Sequence, residues 1–564
     1  MKEILKKYYA LLVILLVYVI AIISVVTYRI NEAPPGTITI RISHWQLESG
    51  VRDAFNKLAE EYQKLHPNVR IIQEAIPESV YGQWLSTQII GGTAPDIVEM
   101  GMIPYQLMIA YYNRYCMVLT PYINKPNPYN KNNEFANVTF RNTYRDGMSA
   151  AYVNEMQEFM TIPLSAFSIR VFYNKDLLKK LTGSDKIPKN YQEFKSICKK
   201  IAEKKDNKGR PYTAIVGSKY HFGMWNYGMA DILTYRLMEK ADFTRDAYVS
   251  NDEFFSAIRS GVMTFKERPI MSMLQVTRFI SDNCQPGFTG LNRDDGVLLF
   301  AQQRAVFMTT GTWDARSLQQ QTKGKFELGI MDFPIPTPDD PEFGDLVPGP
   351  RYENPGVGFM FAVNRMSKSS ETALDFLMFL ASKENNERLN KIIGWIPAIK
   401  NTSMDAILEG FEPNYEGIYG NFNPYLGGET WIKWFQLNSL YQVNREFTAE
   451  QFVSEFEPFY KEKGYFDFLE QMKDRQRGIA INERFLTGLR GLALSESDKT
   501  LADSVWIKYR AQTRDRQLNQ DVWIAEQFWR VEKGPEDKEY GPYVHRPEIL
   551  KKAKENYLKT KNAF

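Results

Sequence analysis

Four tryptophans stand at positions where an indole ring could contact a ligand. Trp45 directly follows a strand-like run, and Trp225, Trp313 and Trp395 lie at loop-like points after strands or near glycines. An indole offers a flat apolar face that can pack on the axial C–H groups of a ring. The alternative for each tryptophan is a buried core or rim residue. The hypothesis of a binding site therefore depends on four tryptophans recurring at such loop-like points, and the case is weakest for Trp225.

Polar side chains near these rings could supply hydrogen bonds to the same ligand. Gln46, Asn226 and Asp314 each directly follow one of the tryptophans, and Arg351 adds a guanidinium group. Sugars carry both C–H patches and many hydroxyl groups, so a sugar site needs aromatic faces and hydrogen-bonding groups together. The sequence thus favours a carbohydrate as the ligand.

The common catalytic motifs are missing from the sequence. It contains no H-E-x-x-H, no G-x-S-x-G and no G-x-x-x-x-G-K-[ST]. The four histidines never occur three or four residues apart, which excludes a two-histidine metal site on one helix. We therefore expect no metal, no cofactor and no enzymatic activity. Carboxylates that are distant in sequence could still meet in a cleft, so an anchored glycoside hydrolase remains the alternative.

Two weaker patterns also favour structural roles. Asp294 and Asp295 are adjacent, and sequence neighbours do not face one another on a helix, so a loop or cap role is favoured over acid–base chemistry. Gly356 and Gly358 lack a third glycine three residues on, so a dinucleotide fingerprint fails.

Length and charge narrow the class of protein further. The chain has 564 residues with 70 Lys and Arg against 67 Asp and Glu, for a net charge of +3. That length fits two to four packed units. Residues 1–30 alone carry the excess of three, so the remainder is net neutral and nucleic-acid binding has no electrostatic support. Three cysteines are too few for a disulfide framework.

The N-terminus predicts a membrane anchor. Residues 10–26 form an apolar run in which Ser24 is the only strongly polar side chain. Such a run is long enough to span a bilayer, so residues 1–30 are expected to be an uncleaved transmembrane helix, with a cleaved signal as the alternative. Lysines before the run place that end in the cytoplasm. The rest of the chain is then expected to face the periplasm or the cell exterior.

Beyond the linker at residues 31–36, strand and helix patterns alternate. Period-two apolar runs predict strands and apolar spacings of three and four predict helices. The predicted order is strand 37–45, helix 51–65, strand 69–75, helix 81–90 and strand 97–100. The alternation returns with a strand at 169–173, a helix at 190–201, a strand at 359–363 and a helix at 370–380. This order is typical of parallel α/β sheets and predicts two α/β lobes.

The character changes after about residue 405. Residues 411–470 contain 17 aromatic residues in 60 positions, and Thr448–Lys461, Asp503–Arg510 and Asp521–Trp529 have helix-like patterns. We expect residues 405–564 to form a helical extension packed on the lobes.

Seven segments, in order, resemble the extracellular solute-binding proteins of ATP-driven importers, in particular the carbohydrate-binding family of the family 1 type. These segments are RISHWQLESGVRDAFNKLAEEYQKLHPNVRI, GGTAPDIVEM, FSIRVFYNKDLLKKL, IPKNYQEFKSICKKI, LLFAQQRAVFMTTGTWDARSL, PGVGFMFAVN with ALDFLMFLASKENNERL, and GWIPAIK. The match runs from about Thr37 to Lys400. Three positions in two of the segments depart from the family pattern, since Asn190-Tyr191 replaces Thr-Trp and Gln303 replaces a glycine.

The resemblance implies roles for individual residues. Trp313 sits where the family has its stacking tryptophan, Trp45 lies at the first strand exit, Gly356 lies in a glycine turn near the ligand, and Trp395 lies in the closing loop. Asp96 is expected to orient the loop after Pro95. The resemblance adds nothing for Gln46, Trp225 and Arg351, which are ligand candidates from local context alone.

The resemblance also implies a two-lobed periplasmic-binding-protein fold, type II-like, with a hinge. We assign residues 37–168 and 326–364 to lobe 1 and residues 169–325 and 365–404 to lobe 2, with crossings near Ile169, Phe326 and Asn364. The implied function is capture of a carbohydrate, and of an oligosaccharide in particular, by hinge closure and its delivery to an ABC permease. A sugar-sensing adaptor without transport is a further alternative. The retained membrane helix and the long extension depart from the family pattern.

Overall fold

The computed structural model describes residues 36–515, with short gaps at 48–49, 154–155, 157, 207–208, 244–246, 354–355 and 421, together with residues 17–19 and Val531. The predicted membrane anchor, nearly all of the linker and the helix expected at Asp521–Trp529 lie outside the described residues. No helix in the described part of the chain is both long and apolar enough to cross a membrane.

Thirteen strands occur in the described ranges. They are β1 Ile38–His44, β2 Val69–Ala75, β3 Ile97–Glu99, β4 Tyr152–Val153, β5 Glu158–Phe159, β6 Ser165–Phe167, β7 Ile169–Asn174, β8 Thr213–Ile215, β9 Ala305–Gly311, β10 Leu328–Met331, β11 Gly356–Gly358, β12 Phe361–Val363 and β13 Ile396–Pro397.

The α-helices form the layers around these strands. They are α1 Val51–Leu65, α2 Glu78–Ile90, α3 Tyr105–Tyr115, α4 Thr120–Ile123, α5 Lys175–Thr182, α6 Tyr191–Ala202, α7 Lys219–Trp225, α8 Met238–Ala241, α9 Asn251–Arg259, α10 Arg268–Asp282, α11 Arg293–Ala301, α12 Thr312–Thr322, α13 Ser370–Leu380, α14 Lys383–Ile393, α15 Ala406–Glu409, α16 Gly428–Val443, α17 Ala449–Ser495 and α18 Lys499–Asp515. A π-helical turn, Asn226–Ala230, and a 3₁₀ helix, Asp231–Leu237, connect α7 to α8.

The first lobe is built on a sheet with the strand order β12-β3-β1-β2. Strands β1, β2 and β3 are parallel, as the alternation of strands and helices predicts, and β12 joins antiparallel at the edge. Ile40 and Ile42 of β1 are buried beneath α1 and the helices that follow β12. Asp96 holds the entry to β3, because its carboxylate accepts the Arg41 amide at 2.7 Å and the Ser367 hydroxyl at 2.5 Å. The predicted orienting role of Asp96 is therefore confirmed.

The second lobe has a sheet with the order β10-β7-β9-β8. Its central strand β9 is buried along its whole length and pairs antiparallel with β7 and parallel with β8. Helix α6 covers one face with the apolar spacing predicted from the sequence, and Asn190 caps it by accepting the Glu193 amide at 2.9 Å. Cys198 on the inner face of α6 is a core residue, as predicted.

A small third sheet, here called the hinge sheet, has the order β11-β6-β13 and lies where the chain passes between the lobes. The crossing near Ile169 agrees with the prediction. The crossing predicted near Phe326 is wrong, because β10 follows it and still pairs with β7 of lobe 2. The crossing predicted near Asn364 is also wrong, because residues 370–393 pack on lobe 1. The apolar face of α13 explains this placement, since Phe376 meets Tyr62 of α1 at 5.0 Å between ring centroids. Helices α13 and α14 thus belong with lobe 1, not with lobe 2 as predicted.

The C-terminal extension is mostly helical from Gly428 to Asp515, whereas the described residues between 410 and 427 form loops, and the extension contacts both lobes. Thr448 caps the 47-residue helix α17, which places Tyr460 in the core of lobe 2 at 5.4 Å from the ring of Phe255. The next helix, α18, reaches lobe 1, where the buried Gln512 amide donates to the Met156 carbonyl at 2.6 Å. The sequence-based helices at Thr448–Lys461 and Asp503–Arg510 are confirmed.

Candidate functional site

The candidate site begins where β1 ends. The parallel sheet directs the residues after β1 and β3 to the same edge, where ligands of open α/β sheets bind. The half-buried Trp45 ring lies against the backbone after β3, since a Cβ atom at Gly101 would stand 2.6 Å from the indole Cη2. On its other side Trp45 meets Tyr81, with ring centroids 5.4 Å apart. Glycine at 101 therefore lets the indole lie on the strand exit.

Gln46 brings an amide into the same edge of lobe 1. Its Nε2 donates to Glu99 Oε1 at 2.6 Å, and both side chains are buried. Its Oε1 has no hydrogen-bond partner among the described residues. A buried amide oxygen without a donor is costly, so Gln46 holds an unsatisfied acceptor at this edge of lobe 1.

Trp395 lies beside the same strand exit, although it comes from the other end of the sequence. Gly394, with a φ of +83°, ends α14 and turns the chain into β13 of the hinge sheet. The indole is 8% exposed and stacks on Phe359 at 5.1 Å between centroids. Phe359 in turn meets the edge of His44, the last residue of β1, at 6.2 Å. Burial lowers the pKa of His44, which favours the neutral imidazole in this aromatic row.

Trp313 approaches the hinge sheet from lobe 2. It stands in the first turn of α12, directly after β9, and its ring meets the edge of Phe167 of β6 at 5.1 Å. The glycine at the end of β9 permits this packing, because a Cβ atom at Gly311 would lie 2.4 Å from the indole. Gly356 of β11 packs on the same Phe167 ring. Phe167 thus joins two of the predicted site residues.

An ion pair supports the Trp313 turn. Asp314 is buried, accepts the Thr310 hydroxyl at 2.5 Å and pairs with the Arg293 guanidinium. Burial opposes the charge on Arg293, but the Asp314 carboxylate keeps the arginine pKa above its usual value. Arg293 also lies over the ring of Tyr220 at 5.7 Å. This polar group supplies donors near Trp313.

Two predicted site residues lie elsewhere. Trp225 is fully buried in the core of lobe 2, stacked on Phe194 at 5.5 Å, because α7 turns it toward the core. A ligand role for Trp225 does not agree with this placement. Arg351 lies over Tyr227 at 4.6 Å and pairs with Glu353 at 3.2 Å, apart from the strand exits.

The sequence analysis missed Phe359 and Phe167, which connect the tryptophans. Phe359 lies in the segment PGVGFMFAVN, where the apolar run predicts a strand and not a site residue. Its φ of +57° is unusual for a bulky residue and marks local backbone strain. Such strain has no signal in the sequence. Phe167 could have been predicted as a site residue, because it is an aromatic residue just before the first crossing between the lobes.

Metal-binding groups do not cluster in the described part of the chain, where no three His, Cys, Asp or Glu side chains could hold one ion. All three cysteines are buried, and burial raises the pKa of Cys116 to about 12. The thiols are therefore protonated at neutral pH.

Two α/β lobes joined by a hinge sheet, with aromatic residues at the strand exits between them, define the class of hinged solute-binding proteins. The sequence agrees with this class, because residues 48–387 match the family model described as bacterial extracellular solute-binding protein. The match covers more than half of the chain. The chain therefore belongs to the bacterial extracellular solute-binding protein family.

Comparison with individual proteins gives distant relatives. The multiple sugar-binding protein of Streptococcus mutans is 21% identical over 299 residues, which cover 52% of this chain and 62% of that protein. The chain thus spans less than two thirds of the length of this relative.

Solved structures share the fold. RafE of Streptococcus pneumoniae, without ligand, is 17% identical with a TM-score of 0.54, over 76% of this chain and 99% of RafE. The GacH receptor of Streptomyces glaucescens is 14% identical with a TM-score of 0.50, over 77% of this chain and 99% of GacH. RafE has also been solved with raffinose, and GacH with acarbose.

Proposed function

We propose that the chain is a carbohydrate receptor that captures an oligosaccharide between its two lobes. The observation that carries the proposal is the position of two indoles. Trp313 comes from α12 of lobe 2, Trp395 comes from the edge of lobe 1, and both border the hinge sheet. A sugar ring between the lobes would contact the half-buried Trp313 ring from lobe 2 and the exposed part of the Trp395 ring, whose other surface packs on Phe359, from lobe 1. The comparisons with sugar-binding proteins support this choice of ligand.

Closure of the lobes would complete the site. A ligand that contacts both lobes makes all of its contacts only in the closed form, so binding shifts the population toward closure. The amide of Gln46 and the Arg293–Asp314 pair offer hydrogen-bonding groups on opposite sides of the hinge sheet. Trp45 would extend the aromatic surface at the exit of β1.

The receptor would work at the outer face of the cytoplasmic membrane. The apolar run at residues 10–26 supports a tether with the lobes facing outward. The closed form would then dock on the transmembrane subunits of an ABC permease and release the sugar. A tether raises the effective concentration of the receptor near the permease.

An enzymatic function is the competing proposal. The family consists of binding proteins, and in the site Asp314 is engaged in an ion pair with Arg293 rather than placed opposite a second acid. Chromatography of oligosaccharides after incubation with the full chain separates the two proposals. A binding protein returns the sugar intact, and cleavage products would establish a glycoside hydrolase.

Fluorescence titration of the full chain tests sugar binding. The protein is kept in a detergent without a sugar headgroup, and glucose- and galactose-based oligosaccharides of one to five units are added. We expect saturable changes in tryptophan emission, with affinity reduced at least tenfold in Trp313→Ala and Trp395→Ala. Trp431→Ala is the matched control, because this indole is exposed on α16 of the extension and should leave affinity unchanged.

Two outcomes would oppose the proposal. No response to any saccharide, in emission or in melting temperature, would remove its main support. Equal losses in the Trp431 control and the two site variants would show that the emission change does not report on the hinge site.

A further inference from the structure

A cavity lies between lobe 1 and the extension, away from the hinge sheet. Its volume is about 370 Å³. Lobe 1 contributes residues from the end of α3 and the turn after β12, and the long helix α17 forms the opposite wall. The lining residues are Asn113, Arg114, Arg365, Arg484, Phe485, Gly488, Leu489 and Leu492.

Three arginines meet at this cavity without a carboxylate among its lining residues. A backbone hydrogen bond from the Arg365 amide to the Tyr115 carbonyl, at 2.9 Å, holds Arg365 next to Arg114. Arg484 faces them from α17. Within the described residues, none of the three forms an ion pair, whereas Arg475 on the same helix pairs with Asp252 at 3.0 Å.

The carbonyl end of α3 accounts for part of this arrangement. Cations near the C-terminus of a helix are favoured by its dipole, which suits Arg114 and Arg365 singly. It does not account for Arg484, which belongs to the extension and adds a third like charge to the same cavity. All three arginines are exposed, so water and salt screen part of their mutual repulsion, and a bound anion between them would remove the rest.

Apart from Asn113, the rest of the cavity lining is apolar. Phe485, Leu489 and Leu492 are spaced four and three residues apart, so they lie on one face of α17. Leu492 is 50% exposed, and a Cβ atom at Gly488 would meet no atom within 4 Å. The cavity therefore offers positive charge at the lobe 1 side and apolar surface along the helix.

We propose that this cavity binds an anionic phospholipid, whose phosphate lies among Arg114, Arg365 and Arg484 and whose first chain carbons lie on Phe485, Leu489 and Leu492. Guanidinium groups form bidentate, charge-assisted hydrogen bonds with phosphate oxygens. Burial of the adjoining methylene groups adds apolar contact that inorganic phosphate lacks. The combination selects an amphiphile over a free ion.

The position of the cavity gives the lipid a structural effect. Arg114 and Arg365 belong to lobe 1, and Arg484 belongs to α17, whose first half is packed into lobe 2. A bound phosphate would draw α17 toward lobe 1, which α18 also contacts through the ion pair of Lys508 with Glu158. The lipid would thus fasten the extension to lobe 1.

Native mass spectrometry of the full chain tests the proposal. The protein is released from micelles of a detergent without a sugar headgroup, after titration with dihexanoyl phosphatidylglycerol, dihexanoyl phosphatidylcholine or inorganic phosphate. We expect one phosphatidylglycerol to bind, with an apparent affinity at least tenfold lower in Arg484→Gln. Arg490→Gln is the matched control, because Arg490 is exposed on the same helix but does not line the cavity.

Hydrogen exchange locates the bound molecule. Phosphatidylglycerol should slow amide exchange in residues 113–116 and 484–492 of the wild-type chain but not of Arg484→Gln. Four results would overturn the proposal: no binding, equal binding of phosphatidylcholine, inorganic phosphate binding as tightly as the lipid, or an equal loss of affinity in Arg490→Gln.

Discussion

Replacement of Asp231 by asparagine should change the pH dependence of stability in a defined direction. Asp231 is mostly buried at the start of the 3₁₀ helix of lobe 2, and burial raises its pKa to about 6 although Arg351 acts in the opposite sense. In the unfolded chain the carboxyl ionises near 4. Between these values only the folded state holds the proton, so the contribution of Asp231 to stability falls as pH rises from about 4 to about 6 and does not change further above that.

A histidine in the same lobe has the opposite effect. Burial, and next the charge of Arg293, lower the pKa of His221 to about 4, while Ser218 hydrogen-bonds its Nδ1 at 2.7 Å. The unfolded histidine takes up a proton near pH 6.5. As pH falls from 6.5 to 4, only the unfolded state gains this proton, so stability falls.

The two contributions are of similar size and cover almost the same pH range. The folded and unfolded pKa values differ by about 2 for Asp231 and by about 2.5 for His221, and each difference corresponds to roughly 3 kcal/mol. In the wild-type chain they should nearly cancel between pH 4 and 6.5. In Asp231→Asn the cost of ionisation is removed, so the variant should gain up to about 3 kcal/mol over wild type at pH 7 and almost nothing at pH 4.

Urea denaturation at half-unit pH steps, followed by tryptophan fluorescence, measures these differences. His221→Asn should show the reverse trend, with its stability relative to wild type improving as pH falls. Comparison with wild type at each pH removes the contribution of all other titrating groups. A difference between Asp231→Asn and wild type that stays constant from pH 4 to 7 would refute the assignment of the buried carboxyl.

Three further predictions concern packing and the hinge. Phe255→Ala should lower the free energy of unfolding in urea by about 3–5 kcal/mol, because it leaves a cavity where α9 of lobe 2 packs on α17. Phe466 lies on α17 and is 63% exposed, so the control Phe466→Ala should cost under about 0.5 kcal/mol. Gly311→Ala should weaken sugar binding in fluorescence titration at least as much as loss of the Trp313 ring, with melting temperature as the check on folding, since its Cβ would overlap the indole. Asn390→Leu should cost about 1–3 kcal/mol by the same urea assay, because it leaves the buried Ser165 hydroxyl without its acceptor and removes one of the two amide donors to the Leu164 carbonyl, the other being Asn386; an unchanged midpoint would contradict that role.

The sequence predicted the elements of the lobes better than their division. The spacing of apolar residues identified β1, α1 and α6 because amphipathic periodicity is local. The assignment of α13 and α14 to a lobe was wrong because it depends on long-range contacts such as Tyr62 with Phe376, which no local pattern contains. The third crossing was misplaced for the same reason.

The candidate site was predicted in part. Trp45, Trp313 and Trp395 lie at strand exits or the hinge sheet, as the predicted topology requires, and whether they bind sugar remains a prediction. Trp225 shows why residue type alone is insufficient, because the direction of its side chain is set by the phase of α7. The rings of Phe167 and Phe359 join the site only after the chain crosses between the lobes.

The 47-residue helix α17 is about 70 Å long if it is straight. One end of it is built into the core of lobe 2, and its partner helix is fastened to lobe 1 at Met156. The extension is therefore attached to both lobes. If the lobes close on a ligand as proposed, the extension would have to bend or detach, and part of the binding free energy would go into that deformation. Substitutions at either attachment point, far from the hinge sheet, would then change the affinity for the ligand.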